Sequence, residues 1–116
     1  MAITAHTEQT ALSVDGTELS LISGTSSLQS NTTAGVYQLF VDGVANMVKG
    51  DEFVIRAYEK VRASGTQRKV FQAILCDTQA EAFVTPPMTF LNGWDFTMQR
   101  TAGSARAFDT SIRRVG

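Results

Sequence analysis

One histidine, one cysteine and eleven carboxylates are the groups in this chain best equipped for chemistry. A catalytic histidine needs a rigid setting and a partner that orients it. His6 lies in a Thr-rich N-terminal stretch beside Thr7 and Glu8, and neighbours in extended chain point apart. It reads as a surface or edge-strand residue. Cys76 closes the apolar run Ala73-Ile74-Leu75 and is expected in the core as a small hydrophobe. A thiolate–imidazole pair is not expected when the sole histidine sits in an arm. Asp42, Asp51, Glu52 and Glu59 form the densest carboxylate group. Paired carboxylates hydrolyse glycosides or hold calcium. Yet Asp51 follows Gly50, where acidic side chains fix turns. Glu59 adjoins Lys60 and fits cross-strand charge pairing. With no Asp-x-Asp-x-Asp spacing, these carboxylates are read as structural. Gly-rich phosphate loops, nucleophile elbows and zinc spacings do not occur. The expectation is a protein that is not an enzyme and takes no metal or cofactor.

Lys60, Arg62, Arg68 and Lys69 surround Ser64-Gly65-Thr66, the most concentrated charge in the chain. Such a tip contacts a phosphate or an acidic partner, or simply keeps a hairpin end soluble. Arg113-Arg114 invites the same two readings. An exposed Trp94 would stack on a sugar, but its phase with Phe96 and Met98 assigns it to the core. Asn31-Thr32-Thr33 matches a glycosylation acceptor, but MAITAHTEQTALSV has no basic and apolar leader pattern. No apolar run approaches the ~20 residues that span a bilayer. Synthesis in the cytoplasm, with no membrane partner, is the expectation.

The elements that must position these residues are strands. Asp51 to Arg62 alternates, with Phe53, Ile55 and Ala57 on one face and Val54, Arg56, Tyr58 and Lys60 on the other. Gln67 to Cys76 is rich in strand formers. The short Gly-containing link between the two predicts an antiparallel hairpin. Trp94 to Arg100 alternates as well, and so does Phe108 to Val115. The Ala102-Gly103-Ser104 turn between them predicts a second hairpin. Val36 to Val41 is a strand, and Thr17 to Ile22 is another after Asp15-Gly16. An edge strand is expected within Ser27 to Ser30. Val44 to Gly50 fits one helical turn or a loop. Ala82 to Thr85 stops at Pro86-Pro87, which cannot donate to a ladder, and Met88 to Leu91 resumes it.

The 116 residues support one domain, which buries about two thirds of its unfolded surface. A formal net charge of −1 argues against a nucleic-acid partner. One cysteine rules out an intrachain disulfide. The fold class is therefore all-β: an antiparallel β-sandwich, jelly-roll or immunoglobulin-like, of seven to eight strands. Residues 1–13 read as an extended N-terminal arm and 14–116 as the sandwich. The arm would add a strand at a sheet edge or stay mobile until it meets a partner. Removing Ala2 to Leu12 is expected to leave the fold intact.

From about Leu19 onward the order of segments resembles small β-rich virion structural proteins of tailed bacteriophages. The segments are GVYQLFVD (35–42), KGDEFVIRAYEKV (49–61), SGTQRKVFQA (64–73), TPPMTFLNGWDFTMQRTAG (85–103) and FDTSIRRV (108–115). The resemblance implies a capsid cement or decoration protein. Such a protein is made in the host cytoplasm and ends on the capsid surface, bound to the major capsid protein as a dimer or trimer. The residues expected to touch partners are Ile3, His6 and Leu12 in the arm, Lys60, Arg62, Arg68 and Lys69 at the tip, and Arg113 and Arg114. The alternatives are a tail or head–tail connector component and, in another class, a carbohydrate-binding module using Trp94 or Tyr58.

Overall fold

The two-residue period of the central segment carries through to the structure, a computed structural model that describes residues 2–115. Met1 and Gly116, the outermost residues of the expected arm and sandwich, lie outside the described residues. Strand β4 (Glu52–Lys60) turns Phe53, Ile55 and Ala57 into the interior, where all three are fully buried. Its hairpin partner β5 (Gln67–Cys76) sets Leu75, Ala73 and Phe71 directly opposite them. The register slips between Ala57 and Tyr58, so Phe71 and Lys69 are paired while Val70 is not. That bulge pushes Val70 outward, 47% exposed.

The remaining strands are β1 (Ile3–Val14), β2 (Leu19–Ser20), β3 (Gly35–Asp42), β6 (Phe83–Val84), β7 (Met88–Phe90), β8 (Asp95–Ala102) and β9 (Arg106–Val115). A single 3-10 turn, Val44–Asn46, fills the ambiguous stretch before β4. One sheet runs β1-β9-β3-β6, with β7 also on β3, and the other runs β2-β8-β4-β5. Pairs nest about the β4–β5 turn: β4 with β5, β3 with β6 and β7, β2 with β8, β1 with β9. A long hairpin folded over itself in this way is a jelly roll, which excludes the immunoglobulin-like order.

Nine strands among the described residues replace the expected seven or eight because the N-terminal residues form β1; Pro86-Pro87 divides one strand into β6 and β7, as expected from their missing N–H groups. Thr85 bridges the gap. Its N–H donates to the Leu39 carbonyl, and its hydroxyl accepts the Leu39 N–H at 3.0 Å. A side chain thus replaces a ladder bond at the break. Between the sheets, Phe53 meets Phe108 edge-on with centroids 4.9 Å apart. Trp94 lies 4.2 Å from Tyr37. Trp94, Phe96 and Met98 all occupy the core, as their phase implies.

Four expectations change. β8 and β9 form no hairpin: they belong to different sheets, and 103–105 carries the chain across. Gly103 (φ +83°) makes that crossing, and a Cβ there would collide with the Asp51 carboxylate. The strand expected over 17–22 shrinks to two residues, because a run of turns follows it. The edge strand expected at 27–30 is replaced by a lone bridge between Asn31 and Trp94. Cys76 is exposed, since Leu75 takes the inward phase and leaves its neighbour facing out. The arm adds a strand at a sheet edge, and that sheet is its own: β1 pairs with β9. The expected boundary at residue 13 falls inside β1.

Candidate functional site

The β4–β5 tip remains the densest exposed charge. Arg62 is exposed and donates only to Ser64 Oγ, at 2.7 Å. Lys69 Nζ donates to Gln72 Oε1, and Arg68 is exposed beside it. Lys60 is half-buried, and its backbone N–H holds the Asn92 carbonyl. Among the described residues, the ion pairs are Arg56–Glu18 and Arg106–Asp51, so no tip residue is neutralised. Apolar surface joins this charge: Val61 is 84% exposed and Leu91 62%. A hollow of about 350 Å³ beside it is lined by Glu59, Val70, Pro87, Met88, Thr89 and Phe90. Glu59 faces Arg68 in register but makes no ion pair with it. Its carboxylate instead accepts the N–H groups of Leu91 (2.6 Å) and Asn92 (2.9 Å) and fixes the loop behind the tip.

The arm residues divide. Ile3 is exposed, whereas Leu12 packs against the core and serves the fold. His6 falls at the register slip between Ala5 and Thr7, which turns its ring inward over Tyr37 (5.7 Å) and Trp94 (5.2 Å). Its Nε2 accepts from Asn31 Nδ2 at 3.1 Å, while Nδ1 pairs with the Thr7 hydroxyl at 2.8 Å. Burial, and then the Arg114 charge, lower its pKa below the usual imidazole value. Arg114 donates twice to the Ala34 carbonyl and so ties the 31–34 segment to β9. Arg113 is exposed and stacks 3.8 Å above Phe40.

Carboxylates that converge with other groups are engaged in holding the chain. Asp51 accepts from Arg106 Nε (2.7 Å) and from the N–H groups of Val48 and Ser104. The Arg106 guanidinium, then the Val48 amide, hold its carboxyl down to about 2. Glu18 accepts from Arg56, the Tyr58 phenol and the Thr97 hydroxyl, at 3.1, 2.8 and 2.6 Å. Burial raises its pKa, but the Thr97, Tyr58 and Arg56 hydrogen bonds outweigh it and the net direction is down. Burial, then Glu18, push Tyr58 up to about 12. The trio is thus an ion pair beside a protonated phenol, and the Glu18 carboxylate is held by three donors. The adjoining hollow is about 90 Å³, roughly three waters' worth of liquid volume. Asp95 faces outward by its phase but lies under the 20–29 segment. There it accepts from Ser20 Oγ (3.0 Å) and Gln29 N–H (2.9 Å).

Sequence reasoning missed one feature. The outer face of the β1-β9-β3 sheet carries an open groove of about 350 Å³, lined by Glu8, Phe40, Asp42, Asp109, Ser111 and Arg113 among others. Its acidic residues come from three strands, so no local spacing marks it. Asp42 and Arg113 were singled out in the sequence for other reasons, and nothing there joins them to Glu8 and Asp109.

No protein-family model matches the chain, and no curated protein matches it. Among solved structures the fold is similar to the Yersinia pseudotuberculosis-derived mitogen. The TM-score is 0.50 at 7% identity, over 99% of this chain and 86% of that one. A chain of the Bacillus endospore appendages, described as disulfide-linked pili, gives a TM-score of 0.46 at 11% identity, over 98% and 88%. The first likeness concerns the fold alone, and the second carries no argument.

Proposed function

We propose that this protein is a non-enzymatic cement or decoration protein, which binds the major capsid protein on the outside of a tailed-phage shell and stabilises it. One observation supports the reading most. The converging ionisable groups around Asp51, Glu18 and Asp95 are engaged in holding loops, while the unneutralised tip faces solvent beside exposed Val61 and Leu91. Exposed charge beside apolar surface fits protein contact. The order of segments from 35 to 115 supports the same reading through its resemblance to phage virion proteins. Weak contacts, repeated over a lattice, hold such a protein tightly.

Mixing purified protein with expanded capsids of the phage that encodes it tests the proposal. Co-sedimentation at a copy number matching the shell lattice supports it. A copy number of one ring per particle would select the tail or connector alternative. Trp94 is fully buried, and its indole N–H donates to the Thr33 carbonyl, so a sugar-stacking role for it has no exposed ring to work with.

A further inference from the structure

The acidic groove and the basic tip complement each other, and no single molecule can bring them together. Register places Glu8, Ser111, Phe40 and Val84 in one row across the outer face of the β1-β9-β3-β6 sheet. Asp109 and Asp42 form the next row. The groove therefore has three carboxylates against one cation, Arg113, which lies over Phe40, and the exposed Val84 adjoins Phe40 on the next strand. Among the described residues, none of Glu8, Asp42 and Asp109 is in an ion pair. All three accept local hydrogen bonds, Glu8 from the Ser111 hydroxyl, Asp42 from the Gly43 N–H and Asp109 from the Ala11 N–H.

The tip has the inverse pattern: Val61 with Arg62, Arg68 and Lys69 around it. β4 separates the two surfaces. The acidic row closes β3 and leads through the 3-10 turn to Asp51 at the start of β4, whereas the tip follows the end of β4. Eight steps of strand set them roughly 26 Å apart along a 41 Å molecule.

We propose that the Val61/Arg62/Arg68/Lys69 tip of one copy docks in the Glu8/Asp42/Asp109 groove of a second copy. Opposite charge steers the encounter, and the apolar centres meet inside a polar rim. Donor and acceptor surfaces differ, so a single contact leaves one tip and one groove free. Two copies close it reciprocally about a two-fold axis, or repetition extends it into a ring or an open chain. The inference stands apart from the shell-binding reading, because purified protein alone displays it.

Sedimentation velocity of the full chain over a concentration series tests it. In low salt the weight-average coefficient rises with concentration above that of the monomer, and in high salt it falls back to that of the monomer. Arg62→Glu/Arg68→Glu and Glu8→Lys/Asp42→Lys each weaken association roughly tenfold or more. An equimolar mixture of the two regains it, since every tip then meets an oppositely charged groove. Near-UV circular dichroism checks the fold of each variant. If the lysine variant unfolds, Glu8→Gln/Asp42→Asn keeps an acceptor for the Gly43 N–H and still removes the charge. Monomer at every concentration in low salt overturns the proposal. So does association that survives reversal of the tip.

Discussion

Burial lifts the Asp95 carboxyl to about 6, while Arg106 and the Val48 amide hold Asp51 down to about 2. The two shifts have opposite consequences for stability. Asp95 binds its proton more tightly when folded, so its contribution is complete below its ordinary value of 3.8 and is lost as pH rises to about 6. Asp51 binds its proton less tightly, so its contribution is present above 3.8 and is lost as pH falls to about 2. Thermal melts of Asp95→Asn are expected to lack the wild type's decline between these limits, which is on the order of 3 kcal/mol. Melts of Asp51→Ala are expected to lack the acid limb below pH 3.8 and to start from a lower melting temperature throughout. Unchanged pH profiles in either variant would contradict the assignment. Two threonines give a contrast free of charge. Thr85→Val leaves the buried Leu39 N–H without its acceptor and should cost about 1–3 kcal/mol in urea unfolding. The buried Thr110 Oγ1 has no partner among the described residues, so Thr110→Val should be neutral or stabilising. Equal losses from the two would show that the hydroxyls are not distinguished by these contacts.

At the scale of elements, β1 decides how the N-terminal residues are understood. It pairs with β9 from Ile3↔Val115 to Val14↔Arg106, and Leu12 packs against the core. Deletion of residues 2–12, expected from the sequence to spare the fold, is now expected to lower the unfolding midpoint markedly and to expose the β9 edge. A truncated protein that melts like the full chain would return those residues to the role of a free arm. Much of the element pattern was legible beforehand. Phe53, Ile55 and Ala57 announce β4 because burial on one face forces a period of two, and Pro86-Pro87 marks the break on β3 because neither residue can donate. The partner of each strand was less legible. Ala102-Gly103-Ser104 turns the chain equally well within a sheet or between sheets, and only the long-range Asp51 contacts decide which. Glu59 looked paired with a cation from its neighbours, yet it binds amides at Leu91 and Asn92 that no local pattern links to it. The groove stayed hidden for the same reason, since Glu8, Asp42 and Asp109 meet only through strand register.

Over the whole molecule, a formal charge of −1 conceals its arrangement. Unneutralised cations gather at the β4–β5 tip, and carboxylates gather on the distal half of the other sheet. The jelly roll keeps them apart because its nested pairs put the central hairpin turn and the β3 end at opposite poles. Centrifugation of the protein with expanded tailed-phage capsids, followed by melting of the recovered particles, is the most direct test of the proposed cement role. The account predicts that the protein pellets with the shells and raises their melting temperature. Protein left wholly in the supernatant, with the shells melting as before, would contradict it.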